Sequence, residues 1–140
     1  MGISSDGILF FGIDLGVDED MESPWNDGDW EDIYYEKMRE KFPGKYPEKN
    51  YIDKDKSKAF FVAKKELEDN GCIIGIHCSF EYSMLYVAVT ESVVNAHRGY
   101  PEEVKSFEVK PDWIQKIKDF CELMDIKYEE PKWILTSLYG

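Results

Sequence analysis

Two periodicities organise the apolar residues of this chain. Runs in which every position or every second position is apolar mark strands, and runs at three-to-four-residue spacing mark helices. Ile8 to Leu15 (ILFFGIDL) is of the first kind, bounded by glycine and aspartate, and predicts a buried strand. Residues 16–29 set acids, Gly16, Ser23, Pro24 and Asn26 around Met21 and Trp25, which predicts a long acidic loop. Trp30, Ile33, Tyr34, Met38 and Phe42 then recur at helical spacing, with Asp29 placed to cap a helix over about 30–42. Pro43, Gly44 and Pro47 end it, and a Lys/Asp-rich connector over about 43–57 follows. Ser57 is placed to cap a second helix that closes at Asn70-Gly71, with Phe60, Phe61, Ala63, Lys64 and Leu67 along its inner stripe.

Ile73–Phe80 and Met84–Thr90 predict two strands joined by the Glu81-Tyr82-Ser83 turn. Both faces of the second are apolar, as a central strand requires. Val104–Val109 predicts a further strand. Pro111 suits the first turn of a helix, where its missing N–H costs nothing. Behind it Trp113, Ile114, Ile117, Phe120, Cys121 and Met124 form the clearest amphipathic pattern in the chain. Trp133–Tyr139 (WILTSLY) predicts a last strand. The order β-α-α-β-β-β-α-β is that of an α+β fold: a mostly antiparallel sheet of about four to five strands packed with about three helices, in a single domain over residues 1–140.

Composition narrows the functional classes. With 43% apolar and 15% aromatic residues in 140, the chain carries enough apolar surface to offset the entropy of ordering, so whole-chain disorder is excluded. No apolar run approaches the roughly 18–20 residues of a membrane-spanning helix, and the opening MGISSDG lacks the basic start of a signal peptide. Three cysteines without paired spacing suit a reducing cytoplasm. The net charge of −12 argues against nucleic acid as a direct ligand and against an anionic membrane surface.

That charge is unevenly placed. Residues 1–32 hold ten acids and no base, whereas Lys37–Lys65 holds ten bases against four acids and the remainder from Glu66 is acidic again. Within the acidic stretch Trp25, Trp30, Tyr34 and Tyr35 lie among carboxylates, and on a helix Asp29, Asp32, Glu36 and Glu40 form one ridge. Aromatics supply contact energy and carboxylates steer a basic partner, so a partner-binding surface is expected at Asp18, Glu19, Asp20, Glu22, Trp25, Asp27, Asp29, Asp32 and Glu36. Of these aromatics, Trp30 and Tyr34 also fit the buried stripe of the helix; Trp25 does not.

Other constellations carry less. Phe11-Gly12-Ile13-Asp14-Leu15-Gly16 resembles the opening phosphate strand of actin-like and chaperone ATPases and the metal-holding strand of ribonuclease H-like nucleases. The ATPase chemistry needs further phosphate contacts, and Val17-Asp18-Glu19-Asp20 repels phosphate instead. Asp18, Asp20 and Glu22 alternate like calcium-loop ligands, but Ser23, Pro24 and Asp29 stand where that loop needs glycine, a free backbone and glutamate. Cys72, His77, Cys78 and His97 invite a zinc reading, yet neighbouring strand residues such as His77 and Cys78 point to opposite faces. Cys78 and Cys121 read as small core residues. Neither a cofactor nor a resident metal is expected.

Met1–Gly12 (MGISSDGILFFG), Ala96-His97-Arg98-Gly99 and Pro131–Gly140 (PKWILTSLYG) resemble a group of small acidic hypothetical proteins encoded by tailed bacteriophages. Those share the opening, an Asp/Glu/Trp-rich stretch after the first strand, a Cys-Ser segment matched by Cys78-Ser79, and a Pro-x-Trp ending. The resemblance implies a phage or prophage source and action in the host bacterial cytoplasm. The group has no established activity, so the resemblance assigns no catalytic residue. The expected function is therefore that of a non-enzymatic accessory protein that binds and inhibits a basic host protein, with DNA mimicry as one mechanism. The alternatives are a small metal-dependent, nuclease-like enzyme centred on Asp14 with His77 or His97, and a minor virion or assembly protein.

Overall fold

The computed structural model describes residues 5–17, 30–79 and 81–139. The elements run β1 (Ser5–Val17), α1 (Trp30–Lys41), α2 (Lys54–Asn70), β2 (Cys72–Ser79), β3 (Ser83–Val89), a 3-10 turn (Thr90–Ser92), β4 (Val94–His97), α3 (Trp113–Leu123) and β5 (Lys132–Tyr139). Three helices and a five-stranded, mostly antiparallel sheet make this the α+β fold that the order of elements predicts. No helix of the described residues is long and apolar enough to cross a membrane.

The long strand β1 organises the sheet. One of its edges pairs with β4 through Asp6–Leu9 and then with β3 through Gly12–Val17, and its other edge pairs with β5 through Ser5–Gly12. β3 pairs in turn with β2, and β2 meets β5 at the parallel pairs Cys78–Leu138 and Ser79–Tyr139. The pairings β1–β3–β2–β5–β1 thus close into a ring, with the short parallel contact as its seam. β3 lies between β1 and β2 with Leu85 to Val89 all buried, which accounts for its uninterrupted apolar run.

Strand parity divides the core in two. One face presents Phe11, Ile13, Ile74, Val87 and Val89 to the helices, where Trp30 and Tyr34 of α1 and Trp113, Ile117 and Phe120 of α3 cover them. The opposite face closes on itself around Ile8, Phe10, Tyr86 and Ala88. There the Tyr86 ring stacks on Phe10, with centroids 4.1 Å apart and planes 13° from parallel. Gly75 makes room for it: a Cβ at that position would sit 2.2 Å from the Tyr86 ring.

Several boundaries differ from the sequence reading. β1 extends three residues before Ile8 and two beyond Leu15, because its partners on both edges continue past the apolar run. α2 begins at Lys54 rather than at Ser57, since Asp53 caps it by accepting from the amides of Asp55 and Lys56. Phe61, placed on the inner stripe by spacing, is half exposed; Phe60 takes the buried position and packs on Tyr35. Residues 104–109 are not a strand. The sixth element is instead β4 at Val94–His97, because the free edge of β1 is reached directly from the 3-10 turn. The 98–112 stretch is held by side chains: Trp133 donates its indole N–H to the Phe107 carbonyl at 2.9 Å, and Lys110 bonds Glu91 at 2.9 Å. Pro111 precedes α3, which starts at Trp113.

Candidate functional site

Of the residues expected to bind a partner, Asp18, Glu19, Asp20, Glu22, Trp25, Asp27 and Asp29 lie outside the described residues. Asp32 and Glu36 lie on the exposed side of α1, as the helical ridge requires. Each carries an internal partner. Lys64 of α2 bonds Asp32 at 2.9 Å and holds its carboxyl below the usual range, and Arg39 meets Glu36 at 3.1 Å. The aromatic residues nearest them are structural: Trp30, Tyr34 and Tyr35 are buried, with Tyr35 donating to the Pro47 carbonyl.

The described residues do bring two other predicted groups together. Asp14 and His77 stand on one face of the sheet, on β1 and β2, separated by β3. His77 Nε2 donates to Asp14 Oδ1 at 3.0 Å. The amide of Gly16 donates to the same oxygen at 3.1 Å. A β-bulge creates this arrangement: the register with β3 shifts between Asp14 and Gly16, and Gly16 takes φ +73°, a left-handed conformation that glycine adopts without strain. The carboxylate is re-aimed by the bulge toward the end of β2. Its sequence signal is the Asp-Leu-Gly triplet at the end of the strand.

The pair is unusual in which partner faces water. The imidazole side chain is 9% exposed and the carboxylate 47%. A histidine serving as general base is normally the accessible member, with the carboxylate orienting it from behind. Here the imidazole is the positioning group, and Asp14 is the group that a ligand can reach. Glu129, Glu130 and Lys132 line the same depression as Asp14, so this part of the described surface is rich in carboxylates. The sequence reading did not connect Glu129 and Glu130 with Asp14; only the pairing of β1 with β5 does so.

His97 does not join this group. It pairs with Asp6 at 3.1 Å across the β1–β4 ladder, and its ring is largely exposed. Among the described residues no group of three or more His, Cys, Asp or Glu is arranged to hold a metal ion. Cys72 and Cys121 are core residues, and burial pushes their thiols up to about 12 and about 11, where almost no thiolate exists at neutral pH. Cys78 departs from the core position expected of it. It is partly exposed and has φ +72°, because the end of β2 turns to meet β5 there.

A larger groove of about 520 Å³ lies between the three helices, with Met38, Leu67, Phe120 and Leu123 as its floor and Lys41 and Lys45 on its rim. It includes neither Asp14 nor His77. Comparison of the chain with protein-family models, curated proteins and solved structures finds no match in any of the three.

Proposed function

We propose that this protein is a non-enzymatic accessory protein of phage or prophage origin that binds and inhibits a basic host protein in the bacterial cytoplasm, with mimicry of DNA as one mechanism. The observation that carries this reading is the charge distribution: ten acids and no base in the first 32 residues of a chain whose net charge is −12. A field of that sign and density steers a basic surface at long range, and Trp25 within it supplies the apolar contact that charge alone does not. The carboxylates of Asp14, Glu129 and Glu130 extend the same sign onto the sheet end where β1 closes.

The test is a pull-down from bacterial lysate at low and high salt, followed by kinetics on the purified partner. Reversing Asp18, Glu19, Asp20, Glu22, Asp27 and Asp29 to lysine should abolish binding, chiefly by slowing association, and most strongly at low salt. A DNA duplex should compete for the same site. Unchanged affinity after charge reversal overturns the reading.

One observation favours a second reading. Asp14 is exposed and its Oδ1 bonds a buried imidazole, an arrangement that suits a carboxylate held in position for a cation. A small metal-dependent, nuclease-like enzyme would be centred there, with His77 rather than His97 beside it. It requires that Asp14→Asn abolish a divalent-cation-dependent activity while leaving partner binding unchanged.

A further inference from the structure

We propose that the start of α2 and the turn before it form an interfacial surface that docks on anionic phospholipid. This stands apart from the acidic-segment reading and rests on different residues.

Ile52 is 99% exposed and Tyr51 65%, at the tip of the turn that leads into α2. They are held out by hydrogen bonds. The Asn50 side chain accepts from the amides of Ile52 and Asp53, each at 2.9 Å, and Asp53 then caps the helix through Asp55 and Lys56. Two consecutive side-chain caps therefore fix the backbone on both sides of an apolar residue that packs against nothing. Tyr51 leans on Phe61, whose ring is 6.1 Å away and which is itself half exposed. On α2, Lys54, Lys58, Phe61 and Lys65 fall at i, i+4, i+7 and i+11, so they share one solvent-facing stripe, with Phe60 buried beside it and its ring 5.1 Å from that of Phe61. An apolar tip is thus flanked by ammonium groups on long stems, the composition of a helix and loop that rest in the headgroup layer.

Whole-chain charge is the wrong quantity for this surface. At physiological ionic strength fields decay over about 8 Å, so a docked lipid layer responds to the charges at the contact. Residues 49–65 hold six lysines against Asp53 and Asp55. Asp32 and Asp69 pair with Lys64 and Lys65, and Glu31 and Glu68 line the depression beside Phe61, so the positive charge at the tip is that of Lys54 and Lys58. Three other occupants fit less well. A symmetric contact with a second copy would set Lys54, Lys58 and Lys65 against themselves. A single-stranded nucleic acid needs open aromatic faces, but the Lys49 ammonium lies over the Tyr51 ring at 5.1 Å, and Ile52 has no ring to stack. A protein groove would demand that its own carboxylates meet lysines spread along four helical steps, whereas a lipid surface presents fluid phosphates that adjust to them.

Flotation of the full-length protein with vesicles tests this. Vesicles of phosphatidylglycerol mixed with phosphatidylcholine should carry the protein, and phosphatidylcholine alone should not. Ile52→Asp should weaken partitioning by at least roughly tenfold, the scale set by one buried isoleucine side chain. Replacing Lys54, Lys58 and Lys65 by glutamine should weaken it by roughly fivefold per lysine and flatten its salt dependence. All four positions are exposed, so an unchanged urea midpoint confirms that each variant is folded. Equal binding to both vesicle types, or full binding by folded Ile52→Asp, overturns the proposal. So does binding to a single-stranded oligonucleotide without binding to vesicles.

Discussion

His77 on β2 donates its Nε2–H to Oδ1 of Asp14 on β1, across the width of β3, and it is the imidazole that is buried and the carboxylate that meets solvent. The pair ties the bulged end of β1 to β2, the strand beyond β3. Removing the carboxylate leaves a buried polar ring without this partner, which costs about 1–3 kcal/mol. Asp14→Ala should therefore lower the free energy of urea unfolding by that amount, while Asp14→Asn, whose side-chain carbonyl still accepts, should lose less. Equal losses in the two variants would mean that the bond contributes nothing beyond the space it fills.

Gly75 should not tolerate alanine. The added methyl would meet the Tyr86 ring at 2.2 Å, and that ring is pinned between Gly75 and Phe10 with no room to withdraw. Overpacking of this kind costs about 1–3 kcal/mol. Gly75→Ala should be rescued in part by Tyr86→Phe only if the clash is with the hydroxyl, which a Cβ would approach to 2.3 Å; denaturant midpoints of the double variant decide it.

Alkaline pH should destabilise the fold. Burial pushes the Cys72 thiol up to about 12 and Cys121 to about 11, and raises Tyr34 and Tyr86 as well. Each such group keeps its proton more tightly when folded, so its contribution is complete below the unfolded value, near 9 for a thiol, and is lost as pH rises toward the folded one. Stability should fall by up to about 1.4 kcal/mol per pH unit per thiol above pH 9. In the native state at pH 8 a thiol reagent should find Cys78 first, with Cys72 and Cys121 reacting only after denaturant is added.

Acid acts through other groups. The Lys110 ammonium and then the Trp113 indole N–H hold Glu91 below its usual range, joining the 3-10 turn to the start of α3. Because the folded value is depressed, that stabilisation is present above the ordinary carboxylate range and is lost as pH falls through it. Glu91→Gln should flatten this acid limb and cost no more than about 1 kcal/mol at pH 7, as expected of a largely exposed pair.

Lys64→Ala should release the charge of Asp32 from its internal partner. If the acidic stretch engages a basic protein, the variant should bind it faster at low salt, by up to about fivefold, since an exposed pair is worth at most about 1 kcal/mol. A slower association would place Lys64 itself in the contact.

Elements with strong local periodicity were legible in advance. The stripe of Trp113, Ile117, Phe120, Cys121 and Met124 and the doubly apolar run of β3 are where the pattern puts them, since burial on one face or two leaves a signature within a few residues; Ile114, counted in that stripe by spacing, is exposed instead. Val104–Val109 misled because alternation alone does not supply a neighbouring edge, and β4 was missed because four residues, half of them exposed, carry almost no pattern. Asp14 and His77 were each conspicuous, but their contact depends on a bulge and on strand order, which act at a separation of 63 residues.

What the sequence by itself determined is therefore local and compositional: the three helices and the strands other than β4, the apolar faces of β3 and α3, and the opposed charges of residues 1–32 and 37–65. Those follow from backbone geometry and side-chain chemistry within one or two turns of chain. Only the tertiary structure decided which groups meet: the closed ring of four strands, Glu129 and Glu130 beside Asp14, and Ile52 standing clear of the core. Such contacts are set by pairing between distant segments, each choosing among many edges of similar local energy, and the choice is made by how the whole core packs rather than by any segment alone.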